Sequence, residues 1–133
     1  MAKRISVTEA KALMDAGHKY LDVRSIPEFE AGHPAGSTNV PLMHSQGGQM
    51  APNPDFLAVV EACFAKDTPL VVGCRSGQRS LRAALALEQA GFTSVVDVLG
   101  GFGGDQANPG WASSGLPVDR APSDYAALLS KRK

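Results

Sequence analysis

The hydrophobic residues of this chain follow a strand-like spacing in some segments and a helix-like spacing in others. Short apolar runs predict strands at Ile5, 20–23, 37–40, 70–72 and 95–99. Between these runs, apolar residues at helical spacing predict helices after Ser6, over 27–31, over 55–65, over 80–90 and over 123–131. The polar stretch 43–54 is interpreted as an exposed loop, and 100–110 is rich in glycine.

This alternation of strands and helices indicates parallel βαβ units. The sequence therefore predicts an α/β domain of three layers, in which helices flank a mostly parallel central sheet of about five strands. Open sheets of this kind bind ligands beyond the carboxyl ends of their strands. Asp22 and Cys74 both stand at such strand ends, so we expect the ligand site there.

The composition narrows the class of protein. A chain of 133 residues is the usual size of one domain, and we expect a single domain over 1–133. Its 13 basic and 13 acidic residues cancel, which argues against nucleic-acid or membrane partners. The N-terminal segment lacks the apolar core of a secretory signal, and no apolar run reaches the ~20 residues that span a bilayer. We therefore expect a cytoplasmic protein.

The two cysteines are too few for a disulfide framework, which also favours a reducing compartment. Cys63 lies among apolar residues at helical spacing, and we interpret it as part of the core. The histidines and cysteines of the chain show no metal-ligand spacing, so no metal is expected.

Cys74 has a different setting, between a predicted buried strand and a predicted helix. It is followed by Arg75, Ser76, Gly77, Gln78, Arg79 and Ser80. The backbone of these residues must curl so that its N–H groups point inward at the positive end of the helix dipole. Gly77 permits a positive φ in that curl, the arginines add positive charge, and the serines add hydroxyl donors. Such surroundings hold a cysteine as a reactive thiolate beside an anion-binding loop.

Two anion-handling reactions fit a cysteine in this loop, namely hydrolysis of phosphate monoesters and transfer of sulfur. The spacing separates them, because four residues stand between Cys74 and Arg79. Cysteine phosphatases have one residue more, since their loop surrounds a whole phosphate group. The shorter loop favours a single sulfur atom. The alternatives are a persulfide-holding relay module for a dedicated partner and a cysteine phosphatase or arsenate reductase of related fold.

Three ordered motifs resemble those of the single-domain rhodanese family of thiosulfate-type sulfurtransferases. CRSGQRS at 74–80 resembles the active loop of that family, and LDVRSIPEFEAGHPAGSTNVP at 21–41 resembles its upstream signature. GGF at 100–102, Trp111 and GLPV at 115–118 resemble its C-terminal signature. The match covers nearly the whole chain and implies a rhodanese-like domain.

The resemblance implies a mechanism. Cys74 would take the outer sulfur of thiosulfate or a related donor as a persulfide. It would then pass that sulfur to a thiophile, which is cyanide in vitro and a thiol or protein cysteine in the cell. Residues 75–80 would bind the substrate and stabilise the persulfide, and no cofactor is implied.

Supporting roles are expected for several residues outside the loop. Asp22 or Glu28 is expected to pair with Arg79 and brace the loop, with Arg24 beside them at a strand end. Arg75 is expected to face the entrance and attract anionic donors. His33, in the G-H element of the upstream signature, is interpreted as structural, because an ionised thiolate needs no base.

Two segments are candidates for the rim of the site. The segment between Phe102 and Trp111 is longer than in many rhodaneses and is expected to line the site mouth or a partner surface. The segment 43–54 is the second candidate, although plain exposure to solvent is the favoured interpretation of its polarity.

Overall fold

The structure is a computed structural model, and it describes residues 3–46 and 49–131. The strands are β1 (Lys3–Ile5), β2 (Lys19–Asp22), β3 (His33–Pro34), β4 (Thr38–Asn39), β5 (Met43–Gln46), β6 (Gln49–Pro52), β7 (Leu70–Gly73), β8 (Val95–Val98) and β9 (Val118–Asp119). The helices are α1 (Val7–Asp15), α2 (Ile26–Ala31), α3 (Phe56–Cys63), α4 (Gln78–Gln89) and α5 (Tyr125–Leu129).

Five strands form the central sheet in the order β1-β8-β7-β2-β4, and every neighbouring pair is parallel. This confirms the predicted α/β fold with its parallel sheet. Asp22 lies beside Gly73 in the register of β2 and β7, and Val72 lies beside Asp97 in that of β7 and β8. The carboxyl ends of the central strands therefore reach one edge of the sheet together, and Cys74 follows directly after that edge.

The sheet is buried by two apolar clusters. One cluster includes Leu87 of α4 together with Val59 and Val60 of α3. The other includes Val7 and Ala10 of α1. Helix α1 begins after Ser6, as predicted, and Ser6 and Glu9 form a capping box at its start. The apolar spacing of each helix therefore sets which face packs against the sheet.

Two antiparallel strand pairs were not predicted. The stretch 43–54, expected to be a loop, forms the hairpin β5–β6, while Gly47 and Gly48 lie outside the described residues. Its strands are rich in polar residues, so they lack the apolar alternation by which a half-buried strand is recognised. The second pair joins β3 to β9, in which His33 lies opposite Asp119. Each of these strands has two residues, too few to show any period.

Helix α4 begins at Gln78, two residues before the predicted start at Ser80. Within the described residues, no helix is both long enough and apolar enough to cross a membrane.

Candidate active site

Cys74 lies in the short connection between β7, which ends at Gly73, and α4, which begins at Gln78. The residue is 2% exposed, and its Sγ accepts a hydrogen bond from the Gly77 N–H at 3.0 Å. Gly77 is the N-cap residue of α4, and its φ of 103° favours glycine. The first N–H groups of a helix have no intrahelical acceptor, so the first turn of α4 supplies further donors beside the loop. This arrangement can stabilise negative charge on a sulfur atom.

The guanidinium of Arg79 is fixed by Glu28 of α2. Arg79 Nη1 donates to Oε1 at 2.7 Å, and Nη2 donates to Oε2 at 3.0 Å. Glu28 Oε1 also accepts the N–H and the hydroxyl of Ser25 at 3.2 and 2.9 Å. Burial acts to raise the pKa of Glu28, but hydrogen bonds and charge from Arg79, together with Ser25, lower it to about 2. The expected brace of the loop therefore exists, and its carboxylate is that of Glu28.

Asp22, the other candidate partner of Arg79, binds Arg24 instead. Arg24 Nη2 donates to Asp22 Oδ2 at 2.8 Å and to the Gly32 carbonyl at 2.7 Å. Asp22 and Arg24 are buried, at 1% and 4% exposure. Asn39 Nδ2 donates to both of their carbonyls, at 3.0 and 2.9 Å. Because the Asp22 carboxylate binds Arg24, only two residues away, it orders the segment after β2. The carboxylate that binds Arg79 is that of Glu28.

A second brace was not predicted, and it comes from β1, on the other side of β7 from β2 in the strand order. Arg4 Nε donates to Asp97 Oδ2 at 2.6 Å, and Arg4 Nη2 donates to the Gly77 carbonyl at 2.8 Å. The Ser80 hydroxyl donates to the other oxygen of Asp97. Asp97 is fully buried, and burial raises its pKa against the opposing effects of Ser80 and Arg4. The available signal was the aspartate inside the apolar run VVDVL, since a buried carboxylate needs partners.

This brace corrects the expectation for Ser80. Its hydroxyl was expected to face an anion in the loop, but it binds the buried carboxylate of Asp97. The reason is the earlier start of α4, which makes Ser80 a residue of the first helical turn and directs it toward the sheet.

The glycine-rich segment after β8 packs against the backbone of the cysteine loop. The Phe102 N–H donates to the Cys74 carbonyl at 2.8 Å, and the Gly103 N–H donates to the Arg75 carbonyl at 2.8 Å. Gly101 has a φ of 54°, and a β-carbon there would overlap the Cys74 carbonyl. Trp111, fully buried, donates its backbone N–H to the Gly101 carbonyl at 2.9 Å. The GGF motif thus fixes the start of the loop.

Arg75, which is exposed, lines two clefts beside the cysteine loop. One cleft, of about 390 Å³, is lined by Ser25, Pro27, Glu28, Ser45, Met50, Arg75 and Arg79. The other, of about 210 Å³, is lined by Arg24, Glu28, Ala31, Gly32, Arg75, Phe102 and Gly103. Several residues of the hairpin β5–β6 are exposed, as the favoured interpretation expected, and two of them, Ser45 and Met50, also line the cleft with Arg75 and Arg79.

The longer segment between Phe102 and Trp111 lies near the other end of the loop. Asp105 and Asn108 line a cleft with Ser76 and Gln78. The segment is held by its own turn, because Asp105 Oδ1 accepts the Ala107 and Asn108 N–H groups at 2.8 and 2.7 Å. Through Asp105 and Asn108 the segment borders the cysteine loop at Ser76 and Gln78, and its role at the site mouth or a partner surface stays a prediction.

Other candidate residues have structural surroundings. His33 is 3% exposed, its Nδ1 lies 2.7 Å from the Phe29 carbonyl, and its ring stacks on Phe29. Cys63 is half-buried against the core, and burial raises the pKa of its thiol. Among the residues that the structure describes, no group of three or more His, Cys, Asp or Glu side chains is placed to bind a metal ion.

Comparison with known proteins gives consistent similarities. The family described as Rhodanese-like domain matches residues 6–108. The chain is 46% identical over 114 residues to "Thiosulfate sulfurtransferase 16, chloroplastic" of Arabidopsis thaliana, covering 86% of this chain and 90% of that protein. It is 43% identical over 115 residues to "Senescence-associated protein DIN1" of Raphanus sativus, covering 86% of this chain and 60% of that protein.

A solved structure shows the same fold. The crystal structure of Rv0390 from M. tuberculosis superposes with a TM-score of 0.78 at 29% sequence identity. The superposition covers 90% of this chain and 98% of that one. The similarity therefore extends over nearly all of both chains.

Proposed function

The chain belongs to the rhodanese-like domain family, and we propose from this that it is a sulfurtransferase whose Cys74 carries the transferred sulfur. The observation that carries the proposal is the Gly77 N–H directed at the Cys74 Sγ, within a loop that begins a helix. A donor aimed at the sulfur stabilises both a thiolate and the persulfide formed from it. The donor substrate is thiosulfate or a related sulfane-sulfur anion.

The proposed reaction has two steps. The Cys74 thiolate attacks the outer sulfur of thiosulfate, the sulfur–sulfur bond of the donor breaks, and sulfite leaves with the bonding electron pair. The product is a persulfide anion on Cys74. A thiophilic acceptor then attacks the outer sulfur, and the electron pair of the broken bond returns to Cys74 as a thiolate. Neither step needs a cofactor.

Roles of the surrounding residues follow from their contacts. Exposed Arg75 attracts the anionic donor, and the backbone of residues 76–80 forms the cradle, while the Ser80 hydroxyl binds Asp97. Arg79 and Glu28 hold the cradle in shape, while Asp22 and Arg24 order the neighbouring wall. We further propose that 1–133 acts as a single domain, in a reducing compartment such as the cytoplasm, because Cys74 must stay free to react.

Mass spectrometry after treatment with thiosulfate tests the proposal. A gain of about 32 Da, one sulfur, is expected on Cys74 alone, with loss of that mass on addition of cyanide. The Cys74→Ser variant should gain nothing, and the matched Cys63→Ser variant should behave as the parent does. A gain on Cys63, or no gain at all, would overturn the assignment.

Further assays of the same protein separate the alternative functions. A persulfide that forms on Cys74 but is released to cyanide far more slowly than to one partner protein would indicate a relay module. Hydrolysis of an aryl phosphate or reduction of arsenate, without turnover of thiosulfate, would indicate a phosphatase or an arsenate reductase. The spacing of Cys74 and Arg79 favours sulfur transfer over both of the latter.

A further inference from the structure

The hairpin β5–β6 turns one face toward the cysteine loop. Met43 pairs with Pro52 and Ser45 pairs with Met50 across the hairpin. Cross-strand partners share a face, and alternate residues of one strand do so too. Met43, Ser45 and Met50 therefore lie on one face, and this face carries both methionines of the hairpin.

This face lies opposite arginines of the loop and of α4. Arg82 Nη2 lies 3.8 Å from the Met43 Sδ. Met50 lines the cleft of about 390 Å³ together with Arg75 and Arg79. The entrance to the site thus has sulfur-containing apolar side chains on one side and guanidinium groups on the other.

The positive charge at this entrance is only partly neutralised. Glu28 pairs with Arg79, whereas Arg75 and Arg82 are exposed and form no ion pair with any described residue. Arg79 and Arg82 are three residues apart and lie on the same side of α4, so Arg82 extends the charge about 4.5 Å further along the helix. Positive charge so far along the helix exceeds what a dianion as small as thiosulfate needs.

Met50 adds an apolar contact to this charge. It is 41% exposed, and it is the only large apolar side chain in the described part of the chain with such exposure. A single exposed apolar residue is ordinary on a protein surface, but this one borders a cleft that Arg75 and Arg79 of the cysteine loop also line. Methionine also adapts its shape to different partners. The surface therefore combines uncompensated positive charge with an adaptable apolar contact.

We propose that one surface, here called the methionine–arginine face, docks the sulfur acceptor. This face consists of Met43, Met50, Arg75 and Arg82. The acceptor is a polypeptide segment whose cysteine is flanked by acidic and apolar residues. The inference rests on the proposed sulfurtransferase function. Charge complementarity selects the acidic residues, and the methionines select an apolar neighbour. Among the described strands, each strand of the hairpin pairs only with the other. The hairpin therefore keeps an outer edge for an extended segment.

The transfer that this docking serves is balanced. The acceptor cysteine arrives as a thiolate and attacks the outer sulfur of the Cys74 persulfide anion. The bond between the two sulfurs breaks, the acceptor leaves as a persulfide anion, and Cys74 returns to a thiolate. No oxidant or reductant is consumed.

The test measures sulfur transfer from the protein preloaded with thiosulfate. The acceptors are a synthetic peptide with one cysteine between glutamate and leucine residues, the same peptide with lysine in place of glutamate, and cyanide. The glutamate peptide is expected to react about tenfold faster than the lysine peptide at low salt. That preference should shrink as added salt reduces the Debye length below about 8 Å.

Variants assign the preference to the surface. The measured quantity is the ratio of the glutamate-peptide rate to the cyanide rate. Arg82→Glu should lower this ratio about tenfold, and Met50→Ser should lower it about threefold. Arg120→Glu makes the same charge change at an exposed arginine beyond β9, and it should leave the ratio as in the parent. Because cyanide discharges the same preloaded protein, the ratio corrects for any loss of folded material.

Three results would overturn the inference. They are equal rates for the two peptides, an unchanged ratio in Arg82→Glu, and a small neutral thiol that reacts as fast as the glutamate peptide. Failure of Cys74 to take up sulfur, or of cyanide to release it, would instead contradict the proposed function. The two failures are therefore distinguishable.

Discussion

Replacement of Glu28 by glutamine tests whether the bidentate ion pair with Arg79 holds the cysteine loop in place. Glutamine keeps the size of the side chain and one oxygen acceptor, but it removes the negative charge. The two charge-assisted hydrogen bonds, at 2.7 and 3.0 Å, are then reduced to at most one neutral bond. We expect both the stability of the fold and the geometry of the loop to suffer.

The pKa of Glu28 gives the size of the effect on stability. Its fall from 4.5 to about 2 corresponds to about 3 kcal/mol, at about 1.4 kcal/mol per pKa unit. The side chains of Arg79 and Glu28 are 19% and 28% exposed, so water screens part of the interaction. We therefore expect Glu28→Gln to lower the free energy of unfolding by about 1–2 kcal/mol at pH 7.

The dependence on pH follows from the sign of the shift. The pKa of Glu28 is lower in the folded state, so its stabilisation is complete above the unfolded value of 4.5 and is lost as pH falls toward about 2. By pH 3, the difference in free energy of unfolding between parent and variant should have fallen by roughly half or more. Urea unfolding at a series of pH values between 3 and 7 measures this difference.

Glu61→Gln is the matched control, because Glu61 pairs with Lys66 at 2.7 Å with both side chains well exposed. This variant should lose at most about 0.5 kcal/mol. We also expect kcat/KM for thiosulfate to fall about tenfold in Glu28→Gln and to be unaffected in Glu61→Gln. If the two variants lose equal stability with the same pH dependence, the ion pair does not brace the loop.

Three further substitutions address other parts of the site. Arg75→Ala should raise KM for thiosulfate severalfold and change kcat less, because the exposed arginine attracts the donor; an unchanged KM in steady-state assays would refute this role. Arg4→Leu leaves the buried carboxylate of Asp97 without its cation and should cost about 2–3 kcal/mol in urea unfolding, with Arg4→Lys restoring part of it. An unaltered stability in Arg4→Leu would contradict the second brace. Gly101→Ala should slow persulfide formation about a hundredfold in a mass-spectrometric time course, since its β-carbon would displace the Cys74 carbonyl; a parent-like rate would show that the loop tolerates the shift.

The sequence predicted those parts of the fold that depend on local pattern. The run at 70–72 and the helical spacing after it placed Cys74 correctly between a buried strand and a helix, because strands and helices differ in period. The hairpin at 43–52 was missed because its polar strands gain their order from pairing with each other rather than from burial of one face. The pair of β3 with β9 was missed for a related reason, since its residues are far apart in sequence.

The site shows the same division between local and distant contacts. The loop residues were predicted from local composition, spacing and the family resemblance, but the partner of Arg79 had two candidates, 51 and 57 residues away in the chain. Which carboxylate reaches the guanidinium depends on how α2 leaves β2, and the sequence does not encode that angle locally. Arg4 was missed because an arginine in an edge strand is ordinarily exposed, and its role depends on the buried aspartate of the neighbouring strand.

The brace by Glu28 acts on the side chain of Arg79, whereas the brace by Arg4 acts on a backbone carbonyl and so orients one peptide group of the loop. Arg4 binds the Gly77 carbonyl from the direction of β1, while the Gly77 N–H faces the cysteine sulfur. In a trans peptide the carbonyl and the next N–H point in opposite directions, so holding the Gly77 carbonyl toward Arg4 turns the Gln78 N–H away from Arg4. The brace by Arg4 therefore limits how the first turn of α4 can present its donors.

Under the proposed function, the burial of Cys74 raises the question of how its sulfur reaches partners outside. Cys74 is 2% exposed, so its own sulfur is shielded from solvent and from other thiols. A bound outer sulfur lies about 2 Å beyond it, the length of a sulfur–sulfur bond. Because the GGF segment, Glu28 and Arg4 hold the loop at three separate points, the Cys74 sulfur stays in place, and under the proposed function the outer sulfur is the atom that an acceptor reaches. Burial of the carrier atom is thus compatible with transfer, since the atom that moves is the one farther out.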